Sequence, residues 1–350
     1  MRIDVEFVAN LPLIEVEIAK KKYRFLVDTG AFSVLSDTLV DELKLPLKEK
    51  LDVVCSFGKM QQHECYVLNS LNIDTEEFEN IEVLRSDMMH TFPTSCIGFD
   101  GILGYNFLER FVMLLEYKKQ KLTLMKKTPF MTGYKKIALH YDGTKPPQIP
   151  LAFDFGDIFF GIDTGKSDGV LVGSRVEIPK ECIKRRGVFR SSLHGIDETQ
   201  QIKRFLLRGF SIDRAIEIDS FMVDHDGGQH YLLGNSFLQH FDMMIDFAKS
   251  YLYLKQHTPI VSSLKRDFGL FLLWSEQKGL YISALDEPSF ASQKGLEVGD
   301  RILSINGVDM FEFSQDDFCK MMESTSLLQG ERAEIVVQRD AKIMRKVLQL

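Results

Sequence analysis

Tyr23-Arg24-Phe25-Leu26-Val27-Asp28-Thr29-Gly30-Ala31 and Ile158-Phe159-Phe160-Gly161-Ile162-Asp163-Thr164-Gly165-Lys166 are two copies of one local pattern, an apolar run ending in Asp-Thr-Gly. Phe, Leu, Val and Ile suit pleated, buried backbone, and glycine permits the sharp turn that follows. One Asp-Thr-Gly suits any tight turn and carries little weight. Two of them, each heading a similar segment of roughly a hundred residues, point to one supersecondary unit copied.

The copy can be followed residue by residue. Gly104-Tyr105-Asn106-Phe107-Leu108, continued to Leu124, aligns without gaps on Gly234-Asn235-Ser236-Phe237-Leu238, continued to Leu254. At this constant offset Phe111 falls on Phe241, Met113 on Met243, Lys119 on Lys249 and Leu122 on Leu252, while Glu116-Tyr117 falls on Asp246-Phe247. Each half also carries two apolar residues and a glycine, Ile102-Leu103-Gly104 and Leu232-Leu233-Gly234.

On these motifs residues 1–256 resemble the pepsin/retropepsin class of aspartic proteases, in which each lobe pairs an Asp-Thr/Ser-Gly loop with a hydrophobic-hydrophobic-Gly motif. Asp-Thr-Gly-Ala and the small lobes look retroviral in type, with both halves fused in one chain. The resemblance implies a mainly β fold: two similar lobes of about six to eight strands each, joined as a pseudo-dimer over residues 1–130 and 131–258. It implies Asp28 and Asp163 as a catalytic pair, Thr29 and Thr164 bonded across the lobe interface, and Gly30 and Gly165 as backbone donors to the carboxylates. The chemistry needs both halves. Adjacent carboxylates share one proton, so the ionised member draws a proton from water while the protonated one donates to the scissile carbonyl. No cofactor and no second chain are required for such a site.

Lys166 departs from the small residue usual after the second triplet. An ammonium aimed at the pair would favour the doubly ionised form, whereas one lying along the surface would do nothing. Two functions therefore stay open: an aspartic endopeptidase acting on polypeptides, and a non-catalytic peptide-binding adaptor with a disabled pair. Family flaps are expected as hairpins at 53–67, turning at Gly58-Lys59, and at 188–206, turning near His194-Gly195.

Residues 259–350 read as a different module. Gly295-Leu296-Glu297-Val298-Gly299-Asp300-Arg301-Ile302-Leu303-Ser304-Ile305-Asn306-Gly307 places two glycine turns around a short strand. It resembles a bacterial PDZ domain, a small α+β fold. The resemblance implies Phe268-Gly269-Leu270-Phe271 as the loop that receives a peptide's C-terminal carboxylate. Leu270 and Leu272 would line the pocket and a helix over 314–326 would form its other wall, with the peptide added as a strand.

The net charge of −7 argues against a nucleic-acid surface, and no apolar run approaches a membrane span. The five cysteines are scattered and odd in number, so no disulfide framework is expected. Cys55, His63 and Cys65 lack a fourth ligand, so no metal site is expected. Met1 to Phe7 enter strand-like sequence without a secretory signal. Both a cytoplasmic protein and a processed or truncated exported chain fit that start.

Overall fold

The computed structural model describes residues 1–54, 60–141, 146–179, 182–192, 199–225, 228, 230–260, 268–323, 328 and 330–350. Cys55 and the expected turn residues Gly58, Lys59, His194 and Gly195 lie outside them. The chain is mainly β and divides into two compact units, 1–177 with 208–221 and 228–261, and 178–207 with 222–227 and 262–350.

In the first unit the duplicated sequence folds as two lobes of one plan. In lobe one, strands Leu11–Ile18 and Lys21–Val27 form a hairpin turning at Ala19-Lys20, both at positive φ as such a two-residue turn requires. Lys21–Val27 also runs parallel to Gly101–Leu103, which pairs antiparallel with Val34–Ser36. Lobe two repeats each step. Gln148–Phe153 and Gly156–Ile162 form the hairpin, Gly156–Ile162 runs parallel to Leu232–Leu233, and that strand pairs antiparallel with Val170–Leu171. Short helices Tyr105–Leu108 and Asn235–Leu238 follow the two glycine motifs.

The cores repeat as well. Phe78 meets Phe107 and Phe111 edge-on, and in lobe two Phe221 meets Phe237, which packs on Phe241. Phe107, Phe237 and Phe241 are fully buried, each contributing roughly 1.5–3 kcal/mol by leaving water.

A six-stranded sheet joins the lobes, in the order Arg2–Asp4, Lys121–Met125, Val112–Glu116, Phe241–Asp246, Tyr251–Gln256 and Lys135–Ala138. At its centre Val112–Glu116 pairs antiparallel with Phe241–Asp246, and Leu114 sits opposite Met244, its own equivalent in the repeat. A pseudo-twofold axis therefore passes through this pair, and the sequence duplication becomes a spatial one.

The expected flap positions are hairpins. Leu47–Val54 pairs with Met60–Ile73, and Ile183–Ser192 pairs with Thr199–Ile212. In the second unit Ile183–Ser192 also pairs with Gly279–Glu287, from Val188 opposite Glu287 to Ser191 opposite Ala284. The other edge of Gly279–Glu287 carries Leu270–Ser275. Arg204 grips Asp224 with two bonds of 2.6 and 3.0 Å and reaches Asp286 at 2.6 Å, so strand pairing and a half-buried ion cluster hold the hairpin to the C-terminal module.

That module continues through Arg301–Ile305, Arg332–Arg339 and Lys342–Gln349, with helices Phe290–Gln293 and Gln315–Glu323. Reciprocal side-chain caps start both helices, Ser289 with Ser292 and Ser314 with Asp317. Cys65 and Cys182 are buried. Among the described residues no helix is long and apolar enough to cross a membrane.

Candidate active site

Each Asp-Thr-Gly leaves the end of a strand that is locked by the glycine motif of its own lobe. The Asp28 N–H donates to Leu103 O and the Asp163 N–H to Leu233 O, both at 3.0 Å. The glycines of those motifs permit close crossing. A Cβ on Gly104 would lie 2.3 Å from Ala31 O, and one on Gly234 would lie 2.4 Å from Asp168 O. The chain beyond each glycine then bonds back to the loop, Tyr105 N–H to Ala31 O and Asn235 N–H to Lys166 O, both at 2.8 Å.

The two loops interlock through their threonines. Thr29 N–H donates to Thr164 Oγ1 at 3.0 Å, and Thr164 N–H donates to Thr29 Oγ1 at 3.1 Å. The Thr164 hydroxyl donates to Val27 O at 2.7 Å and the Thr29 hydroxyl to Ile162 O at 2.6 Å. Both threonines are fully buried. Thr164→Val keeps the shape but leaves the Thr29 N–H and the Val27 carbonyl unpaired and dry. The expected cost is about 2–4 kcal/mol, or roughly 5–15 °C in Tm. A thermal melt within a degree of wild type would show that the grip carries no stability.

Interlocking brings the carboxyls together. Asp28 Oδ1 accepts from the N–H groups of Gly30 at 2.7 Å and Ala31 at 3.1 Å, and Asp163 Oδ1 accepts from Gly165 at 2.9 Å. Each carboxyl bears on the ionisation of the other, and adjacent carboxylates share one proton. Each glycine also faces the other lobe's acid. A Cβ on Gly30 would lie 2.9 Å from Asp163 Cγ, and one on Gly165 would lie 2.0 Å from Asp28 Oδ2.

Burial raises the pKa of both acids. Asp163 is pushed up to about 8, by burial first and then by the charge of Asp28. For Asp28 burial outweighs the N–H donors that oppose it. Lys166 is neither aimed squarely at the pair nor neutral toward it: its ammonium is paired with Asp168, yet its charge pulls the Asp163 pKa down, and Asp168 pulls it back up.

Sequence reading did not single out the residues behind the loops. Ser33 Oγ accepts from the Gly104 N–H at 2.9 Å, and Asn106 Oδ1 accepts from Ser33 N–H at 2.8 Å. In lobe two Asn235 Nδ2 donates to Thr164 O at 2.7 Å, and Asn235 Oδ1 accepts from the Tyr117 hydroxyl, also at 2.7 Å. Asn106 and Asn235 both lie in the aligned repeat, and their position just after the glycine motifs was the available signal.

In the C-terminal module Phe268 is buried, and Gly269 takes φ +70 with Ser289 Cβ 2.3 Å from where its own Cβ would be. The Phe268 carbonyl accepts from Ala291 N–H at 3.0 Å and the Gly269 carbonyl from Asp286 N–H at 2.8 Å, which fixes the loop's inner side. Leu270 and Phe271 begin the edge strand Leu270–Ser275, on which the helix Gln315–Glu323 packs. Trp274 Nε1 donates to Phe313 O at 2.8 Å and ties strand to helix entry. An edge strand beside a helix is the arrangement that takes an added peptide strand.

An aspartyl protease family model matches residues 14–107, a span that holds Asp28-Thr29-Gly30 and Gly104. A PDZ domain model matches residues 260–329. The chain is also 32% identical over 81 residues to tight junction protein ZO-3 of Canis lupus familiaris, a stretch that covers 23% of this chain and 9% of that protein. Residues 14–107 are thus similar to the aspartyl protease family and residues 260–329 to the PDZ domain family.

Proposed function

We propose that this chain is an aspartic endopeptidase whose PDZ domain binds peptide or protein C-termini. Residues 1–130 and 131–258 are read as the two lobes and 259–350 as the PDZ portion. The observation that carries the reading is the facing of Asp28 and Asp163, with each loop's glycine set against the other loop's acid. Both acids come from one chain, so no dimer is needed to complete the pair.

In the reaction, the ionised carboxyl takes a proton from water as its oxygen attacks the scissile carbonyl. The protonated carboxyl gives its proton to the carbonyl oxygen, forming a neutral tetrahedral diol. Return of a proton to the leaving nitrogen breaks the C–N bond and restores one proton on the pair. The Gly30 and Gly165 N–H groups hold the carboxyls in place throughout. Phe268, Gly269, Leu270 and Phe271 are read as the loop that receives a peptide carboxylate, with the chain's strand added along Leu270–Ser275.

The test is cleavage of a diverse peptide library from acidic to neutral pH, with and without a statine-type inhibitor. Cleavage that the inhibitor blocks supports the protease. A chain inert at every pH that still binds C-terminal peptides would be the adaptor, with Lys166 disabling the pair.

Lys166 sets a second expectation. Its charge favours ionisation of Asp163, so Lys166→Met should move the alkaline limb of the pH–rate profile to higher pH. An alkaline limb that stays in place, or moves down, would show that the paired ammonium does not act on Asp163.

A further inference from the structure

The Thr164–Gly165 peptide group has partners at both ends. Its carbonyl accepts from Asn235 Nδ2 at 2.7 Å, and its N–H donates to Asp163 Oδ1 at 2.9 Å. A peptide whose carbonyl is hydrogen-bonded is a better N–H donor, because each bond polarises the next. The Asn235 amide has its own anchor in the Tyr117 hydroxyl at 2.7 Å. That hydroxyl donates to the amide oxygen, which leaves the amide nitrogen as the group facing Thr164 O.

Asn235 is 1% and Tyr117 8% exposed, so neither group has water as an alternative partner. Tyr117 is held in turn by Phe7, its ring stacked at 5.3 Å. Burial pushes the Tyr117 hydroxyl well above its ordinary pKa, so it remains a donor across the working range.

Lobe one lacks this relay. The aligned repeat puts Tyr105 where lobe two has Asn235, and Phe247 where lobe one has Tyr117. Asp28 instead has a second N–H from its own loop, that of Ala31 at 3.1 Å, while the corresponding Lys166 N–H goes to the Asp163 backbone carbonyl at 3.3 Å. Asp163 thus has fewer direct donors than Asp28, and its donor is the supported peptide group.

We propose that Asn235 is a positioning residue of the dyad, aiming the Gly165 N–H at the Asp163 carboxyl, and that Tyr117 fixes the orientation of the Asn235 amide. The proposal rests on the reading of Asp28 and Asp163 as the catalytic pair. Since Tyr117 comes from lobe one and Asn235 from lobe two, the relay also makes dyad geometry depend on lobe registration. The charged and titratable groups bearing on the pair are the two acids themselves, Lys166 and Asp168.

The test uses the full chain as wild type, Tyr117→Phe and Asn235→Leu. The readouts are the ¹³Cγ NMR titration of Asp28 and Asp163, kcat and KM across pH, and Tm. Both substitutions should move the pair's upper titration to higher pH and lower kcat by about tenfold, with KM nearly unchanged, as expected for a slightly misplaced catalytic group. Tyr117→Phe is nearly isosteric and carries the test if Asn235→Leu does not fold. A lower Tm with an unchanged carboxyl titration overturns the proposal and leaves a merely structural role. The NMR titration needs no turnover: a wild type that cleaves nothing, yet shows the titration shift, removes the protease reading and leaves the positioning role standing.

Discussion

Replacing Asp28 or Asp163 with Asn is expected to lower peptide cleavage by at least about a thousandfold at every pH, with folding retained. Asparagine matches the carboxyl in shape but neither takes a proton from water nor passes one to the carbonyl. Either change should be as severe as both together, because the two acids act as one proton-sharing unit. The check is kcat/KM for the wild type, each single variant and the double variant. Residual cleavage in one single variant at more than a tenth of wild type would remove the paired mechanism.

The same variants report on stability. The Asp163 pKa rises from 3.8 to about 8 on folding, so the folded chain holds a proton that the unfolded chain releases. The contribution to stability is fully present below the unfolded value and declines as pH rises. It is lost once pH passes about 8. Asp163→Asn should flatten the fall in Tm across that window and should leave the protein relatively more stable at the alkaline end. An unchanged Tm–pH slope would show that the pair does not bind the extra proton.

The second large effect is expected at Gly165→Ala. The added methyl would stand 2.0 Å from Asp28 Oδ2 and 2.3 Å from its Cγ, inside any van der Waals contact. Asp28 cannot swing away cheaply, since Gly30 and Ala31 hold its other oxygen at 2.7 and 3.1 Å. The threonine interlock prevents the loops from separating. Something must shift, at an expected cost of about 1–3 kcal/mol in stability and roughly a hundredfold in rate. Gly30→Ala should be milder, because its methyl would meet Asp163 at 2.9 Å. Kinetics and thermal melts of both variants test the ranking. Equal effects, or a Gly165→Ala variant with wild-type kinetics, would contradict the facing of glycine and acid.

The fold class was readable because duplication is a property of sequence. Two strand–Asp-Thr-Gly runs and two glycine motifs at matching positions require two matching folding units, and the paired Phe clusters and the Leu114–Met244 axis are that repeat in space. The PDZ portion was readable because its run from Gly295 to Gly307 resembles that family. Both readings rest on short motifs and the families they resemble, and such motifs survive without knowledge of contacts.

Other features depend on partners far apart in the chain. Asn235 gave no sign that it would bond Thr164 and Tyr117, because the first contact exists only once lobe two has folded and the second only once the lobes have docked. Nor did the hairpin at 183–212 announce that it would share a strand edge with Gly279–Glu287, because open backbone edges pair with little regard to side-chain identity. The sequence by itself determined the repeat, the turns and the residues available for chemistry. Tertiary structure decided which of them share a hydrogen bond, because such bonds depend on distances that docking alone sets.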